Sequence, residues 1–135
     1  MLFSERIEAY LDAGRAACYL NNPDVAEVVA TALQFFEGRR YRQFAWCVMP
    51  NHVHSVFRPL PNWPLERVLH SWKSFTSKEA DKPLHRTGSF WEPEYYDHLI
   101  RSEQEFNQYV AYVASNPLKA GLKDWRWVWV APGLL

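Results

Sequence analysis

"RRYRQFAWCVMPNHVHSVFRP", residues 39–59, decides the fold. Its first half is rich in aromatic and β-branched residues and runs to a proline, which predicts a strand over 39–50. Its second half, 51–59, alternates polar and apolar residues and predicts a second strand. Pro50 and Asn51 form a turn signal between the two, so the pair reads as an antiparallel hairpin. Within it, His52 and His54 flank Val53. Residues two apart in a strand point to one face, so the two imidazoles project together and Val53 projects to the other side.

Helical patterns surround this hairpin. Before it, residues 21–38 carry Asn22 as a cap, Pro23 at the first helical position and Gly38 at the end. Val25, Val28, Val29, Leu33 and Phe36 fall at helical spacing and are expected to face a core. After it, residues 64–80 start at Pro64 and repeat Leu65, Val68, Leu69, Trp72 and Phe75 at the same period. Residues 81–88 read as a loop and 89–100 as extended, most clearly over 95–100. Residues 102–117 open on a capping box, Ser102 with Glu105, and the Asn116-Pro117 pair is expected to end them. The start of the chain, 4–14, reads as a short helix capped by Ser4 and stopped by Gly14. Residues 15–23 are ambiguous, and the Trp-rich segment after 117 has no clear reading. The expectation is an α+β fold, an antiparallel sheet with helices packed on it, in one domain over 1–135.

Composition narrows the class. At 135 residues, with 48% hydrophobic and 22% charged residues, the chain can bury a core, which argues against disorder. Aromatics reach 16%, which suits either a heavy core or a stacking platform for bases. The formal net charge is zero, so any nucleic-acid contact depends on a local basic patch. Cys18 and Cys47 are too few for a disulfide framework or a zinc knuckle and read as free thiols. The charged start is not a signal peptide, and no apolar run approaches the ~20 residues of a membrane span. A cytoplasmic protein is expected.

On spacing alone, His52 and His54 are more commonly a solvated pair than a metal site. The helix 102–116 adds to them. Phe106, Tyr109, Val110 and Val113 form its core stripe. Tyr112 lies on one flank, and Asn116 sits one turn further along the same flank. Each alone is commonplace. Together, two same-face imidazoles and a carboxamide suit a hard divalent cation that keeps positions open for phosphate oxygens. A tyrosine of pKa ~10 is a weak nucleophile unless charge on its target is stabilised.

"AWCVMPNHVHSVFRPL", "LERVLHSWKSFTSKEA", "WEPEYYDHLIRSEQEF" and "YVAYVASNPLKAGL" together resemble the REP-associated tyrosine transposases. These are relatives of the single-tyrosine insertion-sequence transposases of the HUH superfamily. The resemblance runs over about residues 14–124. It implies a ferredoxin-like sheet and metal-dependent cleavage and joining of single-stranded DNA through a 5′-phosphotyrosine, at REP-type palindromic hairpins. It implies that His52, His54 and Asn116 bind Mg²⁺ or Mn²⁺ and that Tyr112 is the nucleophile. Tyr95 and Tyr96 fall on an extended segment and read as structural or DNA-facing; Tyr109 reads as core.

Cations for phosphate contact are Arg39, Arg40, Arg42, Lys73, Lys78, Arg86 and Lys119, with Lys123, each individually an ordinary surface charge. Trp63, Trp72, Trp91 and Trp125 are candidates for base stacking. The family opens with an extended strand, whereas this chain opens on a helical pattern, so that first strand is expected to be missing. A missing strand would leave ladder groups exposed. Two other functions fit the same residues: a truncated or domesticated single-stranded DNA-binding module without chemistry, and a metal-dependent phosphodiesterase. The resembling branch implies a monomer rather than a dimer.

Overall fold

A computed structural model describes residues 6–13, 19–84, 90–92 and 95–134. Five strands form one antiparallel sheet: β1 (Ile7–Asp12), β2 (Tyr41–Met49), β3 (His52–Pro59), β4 (Tyr95–Leu99) and β5 (Val128–Val130). Three α-helices accompany them: α1 (Pro23–Phe35), α2 (Leu65–Leu84) and α3 (Glu103–Lys119). A single 3-10 turn spans Tyr19–Asn21. The spatial order is β4-β1-β3-β2-β5. The first six elements thus run β-α-β-β-α-β with β1 and β3 central, which is the ferredoxin-like split βαβ arrangement.

The expected hairpin is present, with Met49 opposite His52 and Tyr41 opposite Pro59. The helix expected over 4–14 is not: Ile7–Asp12 is a strand, and the expectation of a missing first strand falls with it. The caps read at Ser4 and Gly14 lie outside the described residues. The physical reason is a period of two. Ile7, Ala9 and Leu11 are buried in the core beneath the sheet, while Glu8, Tyr10 and Asp12 alternate with them. β1 pairs on both sides, with β3 and with β4, and ladder bonding of that kind overrides weak local helix signals. At the other edge β5 pairs with β2, Trp129 opposite Trp46, so the Trp-rich segment covers an edge that would otherwise be open.

One face of the sheet carries α1 and α2. Val25, Val29 and Leu33 meet Val68, Leu69 and Trp72 over Ile7, Trp46, Val48, Val53 and Phe57. Asn22 accepts a hydrogen bond from the Asp24 amide at 2.9 Å, with Pro23 at the first position, so the start of α1 is as read. Phe75 departs from expectation: it is exposed, and α2 continues to Leu84 through residues read as loop.

Among the described residues α3 is the one helix on the other face. Phe106, Val110 and Val113 pack on Ala45, Cys47, Met49 and Val56. Burying one Val or Phe contributes roughly 1.5–3 kcal/mol. Three such residues outweigh the nucleation cost that leaves an isolated helix of this length marginal. Ser102 caps the helix, its hydroxyl accepting from the Glu105 amide at 3.0 Å. The expected stop at Pro117 is overturned: α3 runs on to Lys119. Pro117 lies in the last turn, where it costs a single hydrogen bond and buries its ring. The true stop is Gly121 at φ +79°. The Leu122 amide donates to the Pro117 carbonyl at 2.9 Å and the Gly121 amide to Leu118 at 3.0 Å, a Schellman ending.

Candidate active site

β3 supplies the first two groups. Val53 enters the core under α1 and α2, so His52 and His54 face α3, as the period of two requires. Their ring centroids are 4.9 Å apart with planes at 87°. Cross-strand neighbours shape the rest. Tyr10 lies opposite His54 on β1, and Cys47 lies opposite it on β2. The Tyr10 ring stacks on His52 at 4.9 Å and meets His54 edge-on at 5.0 Å, filling the space between the imidazoles and the β4 side.

α3 closes the site. Its core stripe of Phe106, Val110 and Val113 fixes the helix rotation, and Tyr112 then falls on the flank nearest His54. Their centroids are 5.3 Å apart, planes at 89°. Tyr112 is 44% exposed, so its hydroxyl is open to a macromolecular substrate. An open concavity of about 330 Å³ lies beside it, lined by Glu105, Gln108, Tyr109 and Tyr112. Asn116 approaches Cys47 from the same helix flank. Burial pushes the Cys47 thiol up to about 12, opposed by the backbone at His54 and the amide of Asn116, so Cys47 is a neutral packing group and not a ligand.

Both imidazoles are anchored at Nδ1. His52 Nδ1 lies 2.7 Å from Asn51 Oδ1, and His54 Nδ1 lies 3.3 Å from Glu8 Oε1. Burial and the neighbouring His54 push the His52 imidazole down to about 4, against the pull of Asp12, so it is neutral at physiological pH. A neutral imidazole that donates from Nδ1 keeps Nε2 as its lone-pair nitrogen, the form in which histidine binds a metal. The Asn116 amide nitrogen Nδ2 is buried, with the Cys47 sulfur as its neighbour and no oxygen or nitrogen acceptor within hydrogen-bond geometry. A half-turn of the amide exchanges nitrogen for oxygen and presents an acceptor in the same place. Among the described residues no three His, Cys, Asp or Glu side chains cluster as a metal site; a third donor beside the two histidines would have to be of another type, such as the Asn116 carboxamide oxygen. This donor set fits a hard divalent cation.

The basic residues are more scattered. Lys119 stands by the site, Nζ 5.9 Å from the centre of the Tyr112 ring. Arg39, Arg40 and Arg42 sit at the open end of the β2–β3 hairpin, away from the 50–51 turn, with Arg40 over Phe36 and Trp63. Lys73 and Lys78 are on α2, behind the sheet; Lys73 donates to the Glu92 carbonyl at 3.2 Å, and burial lowers its pKa. Arg86 lies outside the described residues. Of the candidate stacking residues, Trp72 and Trp91 are buried, and Trp125 donates to the Val48 carbonyl at 2.8 Å. Tyr109 packs against the α3-side core, as read. Tyr95 is half-buried against the α1/α2-side core and Tyr96 is exposed.

Sequence reasoning missed Glu8, Tyr10 and Asn51 as site residues. The first two were hidden by the helical reading of 4–14. Strict alternation over 7–12 was the signal that would have found them.

The fold and site together define a class: a ferredoxin-like sheet bearing a His-x-His pair beneath a helix-borne tyrosine. Within it the chain belongs to the family described as Transposase IS200 like, which it matches over residues 16–116. A REP-associated tyrosine transposase of Escherichia coli K12 is 28% identical over 87 residues, covering 60% of this chain and 49% of the relative. A second relative, from Haemophilus influenzae, is 25% identical over 108 residues, covering 68% of this chain and 60% of its own length. The chain thus spans about half the length of the curated relatives it matches. A solved REP-associated tyrosine transposase bound to a REP hairpin superposes with a TM-score of 0.69 at 18% identity, over 95% of this chain and 77% of the other.

Proposed function

We propose that this chain cleaves and rejoins single-stranded DNA as a metal-dependent tyrosine transposase. The observation that carries the reading is the meeting of Tyr112 with His54 inside one chain. His52, His54 and Asn116 would hold the cation, Mg²⁺ or Mn²⁺. Once bound, it would polarise the scissile phosphate and stabilise the charge that develops there. Tyr112 supplies the nucleophile. Its Oη forms a bond to phosphorus as the bond from phosphorus to O3′ breaks. The phenol gives up its proton and the departing O3′ takes one up, leaving a 5′-phosphotyrosine and a free 3′-OH. One phosphodiester replaces another, so a second 3′-OH can reverse the step without an external energy source.

Lys119 is the cation nearest Tyr112 and suits a phosphate flanking the scissile one. Arg39, Arg40 and Arg42, at the open end of the hairpin, would contact the strand away from the centre, with affinity that falls as salt rises, whereas Lys73 and Lys78 lie on the other side of the sheet from Tyr112. The substrate we favour is a REP-type palindromic hairpin, the ligand of the solved relative. Because one chain brings Tyr112 to its own histidines, a monomer suffices to assemble the set. Among the described residues no helix is long and apolar enough to cross a membrane.

Incubation with a hairpin oligonucleotide and Mn²⁺, followed by denaturing electrophoresis, tests the proposal. A covalent protein–DNA adduct supports it. Binding without cleavage points to a DNA-binding module, and cleavage without an adduct points to a phosphodiesterase; either result overturns it.

A further inference from the structure

We propose that Glu8 is a positioning residue that holds His54 in its Nδ1–H tautomer and leaves Nε2 as the ring's lone-pair nitrogen. Glu8 lies on β1, outside the family-matched residues 16–116. Its Oε1 is 3.3 Å from His54 Nδ1 across the β1–β3 ladder. The two side chains retain 13% and 8% of their exposure, so water is a poor substitute for this bond. A carboxylate has no proton to give. The shared hydrogen therefore sits on Nδ1.

The surroundings leave His54 little freedom to escape this bond. Tyr10 meets the ring edge-on at 5.0 Å, Tyr112 at 5.3 Å and His52 at 4.9 Å. A flipped imidazole would point a carbon at the Glu8 carboxylate and leave that largely desolvated oxygen without its hydrogen-bond donor. A carboxylate behind a metal-binding histidine also orients the ring and makes its far nitrogen a better donor. Asn51 stands behind His52 at 2.7 Å in the same sense, but an amide can turn to donate or accept. Glu8 is the partner whose chemistry admits one answer. The tautomer follows from this hydrogen bond alone; its consequence for a cation rests on the metal reading above.

The test uses the full chain labelled with ¹⁵N-histidine, free of metal at pH 8, and long-range ¹H–¹⁵N spectra that distinguish the tautomers. His54 is expected as Nδ1–H. In Glu8→Ala it shifts toward Nε2–H, while His52 keeps the pattern it has in the parent chain. In Glu8→Gln, whose amide can accept from or donate to Nδ1, the Nδ1–H fraction is expected to fall between those of the parent chain and Glu8→Ala. Finding His54 as Nε2–H in the unmodified chain overturns the proposal, and this reading stands even if Glu8→Ala does not fold. So does an unchanged tautomer in a folded Glu8→Ala. Calorimetry with Mn²⁺ then reads the consequence: Glu8→Ala binds 10–100-fold more weakly and Glu8→Gln less so. Equal Mn²⁺ affinity in Glu8→Ala overturns the positioning role. Expected tautomers in a chain that binds no Mn²⁺ at all support Glu8's hold on His54 and overturn the cation reading instead.

Discussion

The ring of Tyr112 stands edge-on to His54, centroids 5.3 Å apart and planes at 89°. A phenol on a helix thus meets an imidazole on a central strand, and both are fixed by core residues one position away, Val113 and Val53. Tyr112→Phe keeps the ring contact and removes only the hydroxyl. Folding stability is expected to change by less than ~0.5 kcal/mol, as for most exposed substitutions. The covalent DNA adduct is expected to vanish while hairpin binding persists. Thermal melts and an adduct gel check both halves, and a surviving adduct would remove Tyr112 from its assigned role.

The His52, His54 and Asn116 set predicts a graded loss of cation binding. His52→Ala removes a donor, so Mn²⁺ affinity should fall beyond the ~10–100-fold that follows loss of an outer-shell partner. Asn116→Ala should also weaken it, and chelation with EDTA should stop adduct formation in the unmodified chain. Isothermal titration measures the first two effects. Undiminished binding in His52→Ala would place the cation elsewhere.

Tyr41 carries a pH prediction away from the site. Its hydroxyl is buried, donates to the Ala32 carbonyl at 3.2 Å and accepts from the Phe36 amide at 3.1 Å. Burial raises its pKa above the usual 10.0, against the opposing backbone bond from Phe36. Above pH 10 the unfolded chain loses this proton while the folded chain retains it, so the unfolded state binds fewer protons and stability falls as pH rises. Below pH 10 the contribution is constant. Tyr41→Phe should cost about 1–3 kcal/mol at pH 7, because the part-buried Phe36 amide and the buried Ala32 carbonyl lose their shared partner. It should also flatten the alkaline slope. Denaturant melts between pH 8 and 11 compare the two chains.

The hairpin, α1, α2, β4 and the start of α3 were legible in the sequence because each carries its own signal: a period, a cap or a turn. So was the projection of His52 with His54. What was not legible depended on partners far along the chain. Residues 7–12 carry the alternation of a strand, but in so short a segment it competes with a helical reading, and the pairing with β3 and β4 that decides between them lies far along the chain. The same misreading hid Glu8 and Tyr10. The basic residues show the converse limit. Lys119 and Arg40 look alike in sequence, yet one lies beside Tyr112 and the other at the far end of the hairpin, because only the tertiary fold sets distance from a centre.

Phe106 ties α3 to the sheet and should dominate its stability. It is buried against Phe44, ring centroids 5.2 Å apart, and the Arg6 guanidinium lies 4.2 Å from its ring centre. Phe106→Ala leaves a cavity and removes that cation–π contact, for a cost of about 3–5 kcal/mol. Because α3 is the one helix on this face among the described residues, loss of its anchor should loosen the approach of Tyr112 to His54. Urea denaturation is expected to show the stability loss.

Gly121 is the final determinant of where α3 ends, and so of the turn that carries Asn116. Its φ of +79° lies in the left-handed region, and a Cβ there would meet nothing within 4 Å. Gly121→Ala therefore tests backbone strain without a steric clash. The expected cost is about 1–2 kcal/mol, the penalty of an L-residue in that region. The strain can be relieved by opening the Leu122–Pro117 and Gly121–Leu118 hydrogen bonds, which would fray the last turn. Amide hydrogen exchange should then rise at residues 120–122 while the amides of Val110 and Val113, in the buried stripe, keep their protection. A uniform rise along α3 would mean that the ending is not an independent unit and that the helix opens as a whole.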